Sequence, residues 1–427
     1  MRRLLWALIA AWTASFGTLA LLEHRAFETG RFDLGNMVQA AWSTGRGRPL
    51  EMTSGEGEQF VRLGAHFDPI LVVFAPWPHP ELMLLVQAGA LGLGALPVFR
   101  LAGEGRTGLA WAGAYLLLPA LQWTALADFH PVALATPLLL FAIEALVRDR
   151  LPAFAVFAGL ALLTKEHVGL AVAALGLWYA RRRPQAGIAI AGAGAAVAAL
   201  AVGVVIPGFR PEHGTDLAGR YDELGLSSLG LRDLRYLLAV LLPLAGLPLL
   251  APLLALAAVP ELALNILSEA ATQTSIRYHY SSVAVAPLVA AAILGGRRFG
   301  RIALLAAAVA TLAIGPLPRL DRLRRDAQDE AAAAALRVIG EHEAVSATNG
   351  LGAHLSQRRR ILLFPLVADA DVVAIEEGRP AFGGGVSERE LAAAVAGLRR
   401  DRRFRLVYER DGVLLFRRES SAGAGTP

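Results

Sequence analysis

Cysteine is absent from all 427 residues, which excludes a disulfide framework and any thiolate metal site. Charge is scarce as well: 18% of residues are charged, where a soluble domain carries about 25%. Lysine is nearly missing, for among 41 basic residues only Lys165 is not arginine. The chain has no P-loop, no G-x-S-x-G and no G-x-G-x-x-G in a strand-to-helix context, so the common nucleotide and esterase motifs are lacking. No H-x-x-x-H or carboxylate cluster of metal-ligand spacing occurs. Nor is there a repeat of roughly 20–50 residues, which excludes a solenoid.

What is present is apolar. Hydrophobic residues make up 55% and the mean hydropathy is +0.48, values that belong to a polytopic membrane protein. The net charge of +5 and pI near 9.9 would suit nucleic acid, but the arginines stand at the ends of apolar runs. There they read as topology signals, and no nucleic-acid partner is expected. Arg2-Arg3 precedes Leu4 to Leu22, too long a run for a signal peptide and long enough for an uncleaved first span.

Arginines at 2–3, 100 and 106, 148 and 150, 181–183, and 297, 298 and 301 mark the cytoplasmic side. Between Arg150 and Arg181 there is room for two short helices meeting at Lys165-Glu166, but not for one helix with both ends cytoplasmic. Spans are expected near 81–99, 108–126, 132–147, 152–164, 168–180, 186–206, 282–295 and 302–316. Two more are expected in the Pro-broken stretch 236–267, and Ile70 to Trp77 only dips into the interface. The expected fold is an all-α polytopic membrane domain over 1–318, with about eleven helices and outer loops at 23–68, 207–235 and 268–280. A small extracytoplasmic α/β domain follows over 319–419: a helix at 321–339, then short strands at 344–347, 361–364, 372–375, 404–409 and 413–417. Asp411-Gly412 marks a hairpin there, and 420–427 reads as a disordered tail.

The candidate chemistry lies in the loops. Lys165 interrupts an apolar stretch, where an ionisable group costs roughly 3 kcal/mol and is by default a functional residue; the plainer alternative is a neutralised Lys165-Glu166 pair at a helix end. Asp33, soon after the first span, is a candidate general base, or else the cap of a helix over Met37 to Trp42. His66-Phe67-Asp68-Pro69 and Asp128-Phe129-His130-Pro131 each pair a carboxylate with an imidazole before an apolar helix, and each also reads as a helix start. Arg277-Tyr278-His279-Tyr280-Ser281 supplies donors suited to phosphate or sugar, or an interfacial aromatic belt with a snorkelling arginine. His66, Asp68, Asp128, His130, Glu166 and His167 could together hold a divalent metal, although their spacing is not diagnostic.

Taken in order, Phe32-Asp33-Leu34-Gly35, Gly45-Arg46-Gly47, His66-Phe67-Asp68-Pro69, Asp128-Phe129-His130-Pro131, Lys165-Glu166 and His279-Tyr280-Ser281 resemble a bacterial family of predicted membrane proteins, domain of unknown function 2079. The Ser346-Ala347-Thr348-Asn349 strand end and the Val407-Tyr408-Glu409-Arg410 hairpin fit the same family. That family is similar to the GT-C superfamily of membrane glycosyltransferases, which draw sugars from polyprenyl-phosphate carriers. The resemblance implies a multi-pass protein of the bacterial cytoplasmic (inner) membrane with its N-terminus cytoplasmic. It also implies a polyprenyl-phosphate-linked sugar as donor, membrane lipids as surroundings, and an acceptor that is not identified. Asp33 takes the place of the superfamily's acidic residue, which is often one of two adjacent acids; here Asp33 has no acidic neighbour in the chain. Lys165, Glu166, Arg277, His279, Tyr280, Asp128, His130, His66 and Asp68 are then the expected substrate- and phosphate-binding residues. A transporter or lipid-carrier flippase using Lys165-Glu166 as a relay is the alternative, and a non-catalytic envelope scaffold a third. The apolar spans, broken mainly by Gln87, Glu144 and Asn265, favour the enzyme, whose polar residues gather at one face.

Overall fold

The computed structural model describes residues 1–210, 230–317, 325–379 and 387–419. The chain is mostly helical, with a small sheet near its C-terminus. Four stretches are long and apolar enough to cross a membrane: Arg2–Arg25, Pro80–Leu101, Pro184–Phe209 and His279–Ile314. A fifth, Gly105–Leu116 with Pro119–Leu126, is bent by 51° where Pro119 supplies no N–H to continue the ladder. Shorter apolar helices span Pro131–Val147, Leu151–Leu162, Val168–Ala180 and Pro252–Leu267. Most of the expected loop at 207–235, the start of the helix at 321 and the tail at 420–427 lie outside the described residues.

The arginine marks converge on one end of the helical bundle. Arg2 pairs with Glu104 at 3.1 Å, and Arg297 donates to the Ala102 carbonyl. Arg100 and Arg148 both reach Glu144, and Arg183 reaches Asp149 at 2.5 Å. The last pair closes Leu151–Leu162 and Val168–Ala180 into a helical hairpin, so Lys165-Glu166 forms its far tip. Each arm is only 12 or 13 residues, roughly 18–20 Å at 1.5 Å per residue. That is short of the ~30 Å hydrocarbon core a single helix would have to cross. Residues 62–74 fold back onto the tip, where the Ile70 N–H donates to the Leu163 carbonyl at 3.1 Å.

The helix Val168–Ala180 lies against Pro184–Leu200 at backbone contact. A Cβ on Gly176 would come within 2.4 Å of the Ala191 nitrogen, and one on Gly194 within 2.6 Å of the Ala173 nitrogen. Small residues permit this approach, which is how apolar helices gain packing energy where no hydrophobic drive separates them from lipid.

Residues 31–35 form a π-helical turn that leads into the helix Asn36–Thr44. Beyond it strands β1 (Glu51–Thr53) and β2 (Gln59–Val61) pair as an antiparallel hairpin. The C-terminal sheet holds β3 (Val345–Ala347), β4 (Ile361–Leu363), β5 (Val372–Glu376), β6 (Phe404–Arg410) and β7 (Val413–Arg418), ordered β4-β3-β5-β7-β6. β3 runs parallel to β4 and β5, while β7 is antiparallel to β5 and β6. β5 is central and buried along its whole length. Ala331, Ala332 and Ala335 of the helix Ala327–Leu336 pack on one face with Leu351 and with Phe27 from the end of the first helix. Leu391, Val395 and Leu398 of Glu388–Arg400 cover the other. This last helix, capped by Ser387 and Glu390, and the short helix Asn349–His354 were not expected from the sequence.

Candidate functional site

The turn 31–35 presents Asp33, and the groups around it come from distant parts of the chain. His130 Nε2 lies 3.4 Å from Asp33 Oδ1. The other ring nitrogen, Nδ1, sits 2.6 Å from the Asp128 carbonyl, which can only accept, so Nδ1 carries hydrogen. Nε2 is therefore the ring nitrogen that faces Asp33. His279 stacks on His130 with ring centroids 3.6 Å apart.

Asp128 lies behind this pair. Its Oδ2 accepts from the Gly30 N–H at 2.7 Å and the Leu34 N–H at 3.4 Å, so it clasps the turn that carries Asp33. Burial and then the negative charge of Asp33 push its carboxyl up to about 7, against the pull of those N–H groups and His130. Asp33 goes the other way. Burial opposes its ionisation, but His130, Arg62 and Lys165 outweigh burial and hold it below the usual carboxylate range. It sits in a hollow, surrounded by protein, with 45% of its side-chain surface still open. Two carboxyl groups with pKa values driven apart are the ordinary signature of distinct acid and base roles. Asp128 is thus close enough in space for the charge of Asp33 to act on it, although the two are far apart in the chain.

The hairpin tip completes the cluster. Glu166 Oε1 is 3.2 Å from His66 Nδ1, and its Oε2 accepts from the Phe67 N–H at 3.0 Å. Burial works against its charge, but Lys165 and His66 hold it well below the ordinary value. Burial, and after it the charge of Lys165, lowers His66. Lys165 is thus the cation that Asp33, His66 and Glu166 have in common.

Not every expected residue opens toward the hollow. Asp68 is 1% exposed and bound bidentately by Arg62, at 2.9 Å to Nε and 2.6 Å to Nη2. Arg277 rests 5.6 Å from the Trp123 ring centroid. Tyr280 contacts the His279 ring at 4.2 Å, and its carbonyl accepts from Asn265. His167 pairs with Glu261, whose carboxylate also accepts from the Val283 and Ala284 N–H groups at a helix start. Pro69 and Pro131 do open short helices, and Asp68 stands at the N-cap position of Pro69–Phe74. None of the three carboxylates makes a side-chain cap bond, however: Asp33 lies inside the turn, Asp68 holds Arg62, and Asp128 holds Gly30 and Leu34. Among the described residues no group of three or more His, Asp or Glu is placed to hold a metal ion.

Three supporting residues had no site role in the sequence reading, where Gln87 stood only as a polar break in an apolar span and Asn349 only at the end of a strand motif. Arg62 is one of five arginines between residues 23 and 68, and nothing in the sequence sets it apart from the others. Gln87 donates to the Thr124 and Ala127 carbonyls and accepts from the His130 N–H at 2.9 Å, so it fixes the Asp128–His130 turn. Asn349, from the C-terminal unit, accepts the Phe32 N–H at 2.9 Å, one residue before Asp33.

The family described as "Predicted membrane protein (DUF2079)" matches the chain over residues 23–415. No curated protein matches it.

Proposed function

The chain belongs to the DUF2079 family of predicted membrane proteins, and on that premise we propose that it is an inverting glycosyltransferase using a polyprenyl-phosphate sugar. In this reading the apolar helices make about eleven crossings of a bacterial cytoplasmic membrane. The N-terminus and the arginine end are cytoplasmic, and the Asp33 hollow and the C-terminal unit over 319–419 are on the outer face.

The observation that carries the reading is the half-open Asp33 carboxylate, paired with His130 and backed by Lys165 and Arg62. An acceptor hydroxyl entering the hollow is oriented by Asp33 and attacks the anomeric carbon. The bond from that carbon to the phosphate oxygen breaks, the hydroxyl proton passes to Asp33, and polyprenyl phosphate leaves with the electron pair. Positive groups fixed in a water-poor site stabilise such a leaving charge by several kcal/mol, the role given to Lys165. Glu166 balances Lys165 while the donor is absent. Asp128, neutral below about 7, donates a hydrogen bond to the sugar or relays a proton through His130. His66, His279, Tyr280 and Arg277 line the approach, and Asp68 serves through Arg62. No step requires a metal.

Two measurements test this. Native mass spectrometry against a panel of polyprenyl phosphates and their sugar conjugates should show selective binding that weakens about tenfold or more in Lys165→Met. Equal binding by the variant would remove the phosphate from Lys165. With a competent donor, Asp33→Asn should lower kcat about 100-fold or more, the usual share of a general base. Turnover that survives in Asp33→Asn would end the base assignment.

A further inference from the structure

We propose a second site, separate from the Asp33 hollow, that binds the phosphate of a membrane lipid headgroup in the cavity between Trp42, Arg46, His79 and Gln357. The cavity has a volume of about 570 Å³. Its walls come from the end of the helix Asn36–Thr44, from the segment before Pro80, and from the C-terminal unit through Gln357. Trp42 follows Asp33 by nine residues, roughly 14 Å along a helix, so a ligand here stands clear of the Asp33–His130 pair.

The chemistry of the lining is one-sided. Arg46 holds its guanidinium 4.0 Å over the Trp42 ring, an arrangement that orients the planar fork without neutralising it. Arg48 also approaches the ring, at 5.6 Å, but it is paired with Glu51 at 2.9 Å. None of the lining residues is acidic. Gln357 donates to the Pro78 carbonyl at 2.8 Å and lies 3.3 Å from His79 Nδ1, which ties the two walls together and fixes their donors. Gly45 forms the floor: a Cβ there would stand 2.6 Å from the Ala75 carbonyl oxygen. Both N–H groups of Gln357 are used by Pro78 and His79, and its amide nitrogen can only donate, so His79 Nδ1 accepts and Nε2 is left to donate. A cavity with a stacked guanidinium and an imidazole held in this way is suited to an anionic oxygen cluster.

The chain beside Ala75, Pro76 and Pro78 points to the source. Val72, Val73 and Trp77 are 45%, 66% and 66% exposed, and they lead directly into Pro80–Leu101, a stretch apolar enough to cross a membrane. Exposed tryptophan beside such a helix sits at headgroup level, where basic pockets take lipid phosphates.

The test uses the full-length protein in detergent, titrated with short-chain phosphatidylglycerol and read by native mass spectrometry as lipids bound per protein. It needs no turnover, so it succeeds or fails independently of the transferase reading. Arg46→Ala should weaken binding about tenfold, the loss of one charge-assisted contact. Gln357→Ala, which changes no charge, should weaken it several-fold, and Arg405→Ala, at an arginine 71% exposed in β6, should not. Inorganic phosphate at the same concentration should fail to displace the lipid. Unchanged binding in Arg46→Ala, or equal weakening in Arg405→Ala, would overturn the site. Displacement by inorganic phosphate would overturn the lipid as its ligand in favour of a soluble phosphate.

Discussion

Two carboxyl groups of the same type are given different tasks by their surroundings. Asp33 is drawn toward ionisation by His130, Arg62 and Lys165, whereas burial and Asp33 itself press Asp128 toward the acid form, with a value of about 7. The sign of the linkage follows. A folded-state value above the unfolded one of 3.8 means that the folded chain binds the extra proton. The stabilisation is full below the unfolded value and is lost as pH rises toward about 7, where the charge must form beside Asp33. Asp128→Asn keeps an oxygen for the Gly30 and Leu34 N–H groups but cannot ionise. Melting temperature should therefore fall between about pH 4 and pH 7 in the wild type and fall less in Asp128→Asn. Parallel curves for the two proteins would show that Asp128 carries no such burden. Neither value was legible in the sequence, because Asp128 lies 95 positions after Asp33 in the chain and only the fold puts them together.

At the level of elements, the Lys165 hairpin was legible and the details of its support were not. Arginines at both ends of one thirty-residue stretch called for two short helices, which Leu151–Leu162 and Val168–Ala180 are; the Arg183–Asp149 pair that closes them was not foreseen. The strands at 344–347, 361–364, 372–375, 404–409 and 413–417 were likewise found within a residue or two, since β-branched and apolar runs beside Asp411-Gly412 are strong local signals. The helix Glu388–Arg400 was missed although Ser387 and Glu390 spell a capping box; the alanine-rich stretch hid its apolar face. Close packing of the glycine-lined helices was not foreseen either, because glycine in an apolar run does not say which neighbour it meets. It now yields a prediction. Gly176→Leu inserts a side chain where even a Cβ would lie 2.4 Å from the Ala191 nitrogen, so Val168–Ala180 and Pro184–Leu200 must separate. Overpacking of this kind costs about 1–3 kcal/mol or more. The variant should lose several degrees of melting temperature in a detergent thermal-shift assay, while Gly192→Leu, with open space around its Cβ position, should not. Equal melting of the two would argue against this helix contact.

Across the whole molecule, the C-terminal unit acts as a brace for the Asp33 turn. Arg31 is buried and donates to the Thr53 and Ser54 carbonyls of the first loop and to the Ile361 carbonyl of β4, the last at 2.9 Å. Asn349 takes the Phe32 N–H, and Gln39 donates to the Arg358 and Arg359 carbonyls. Arg379 reaches the Ala26 carbonyl, and the His24 and His354 rings stack with centroids 4.0 Å apart. Glycine marks the tightest crossings: a Cβ on Gly30 would strike the Asn349 side chain at 2.5 Å, and one on Gly35 the Ser356 hydroxyl at 2.5 Å. A buried guanidinium stripped of an acceptor costs about 1–3 kcal/mol or more, so removal of the unit leaves the turn without its partners. Truncation after residue 318 should therefore raise backbone hydrogen exchange in residues 30–42 by about tenfold or more, with little change in Val168–Ala180 and Pro184–Leu200, whose contacts are elsewhere. Asn349→Ala should reproduce part of the effect around Phe32 alone. If residues 30–42 keep their protection in the truncated chain, the turn is held by Asp128 and Gln87 from the helical side, and the C-terminal unit is free to serve recognition instead.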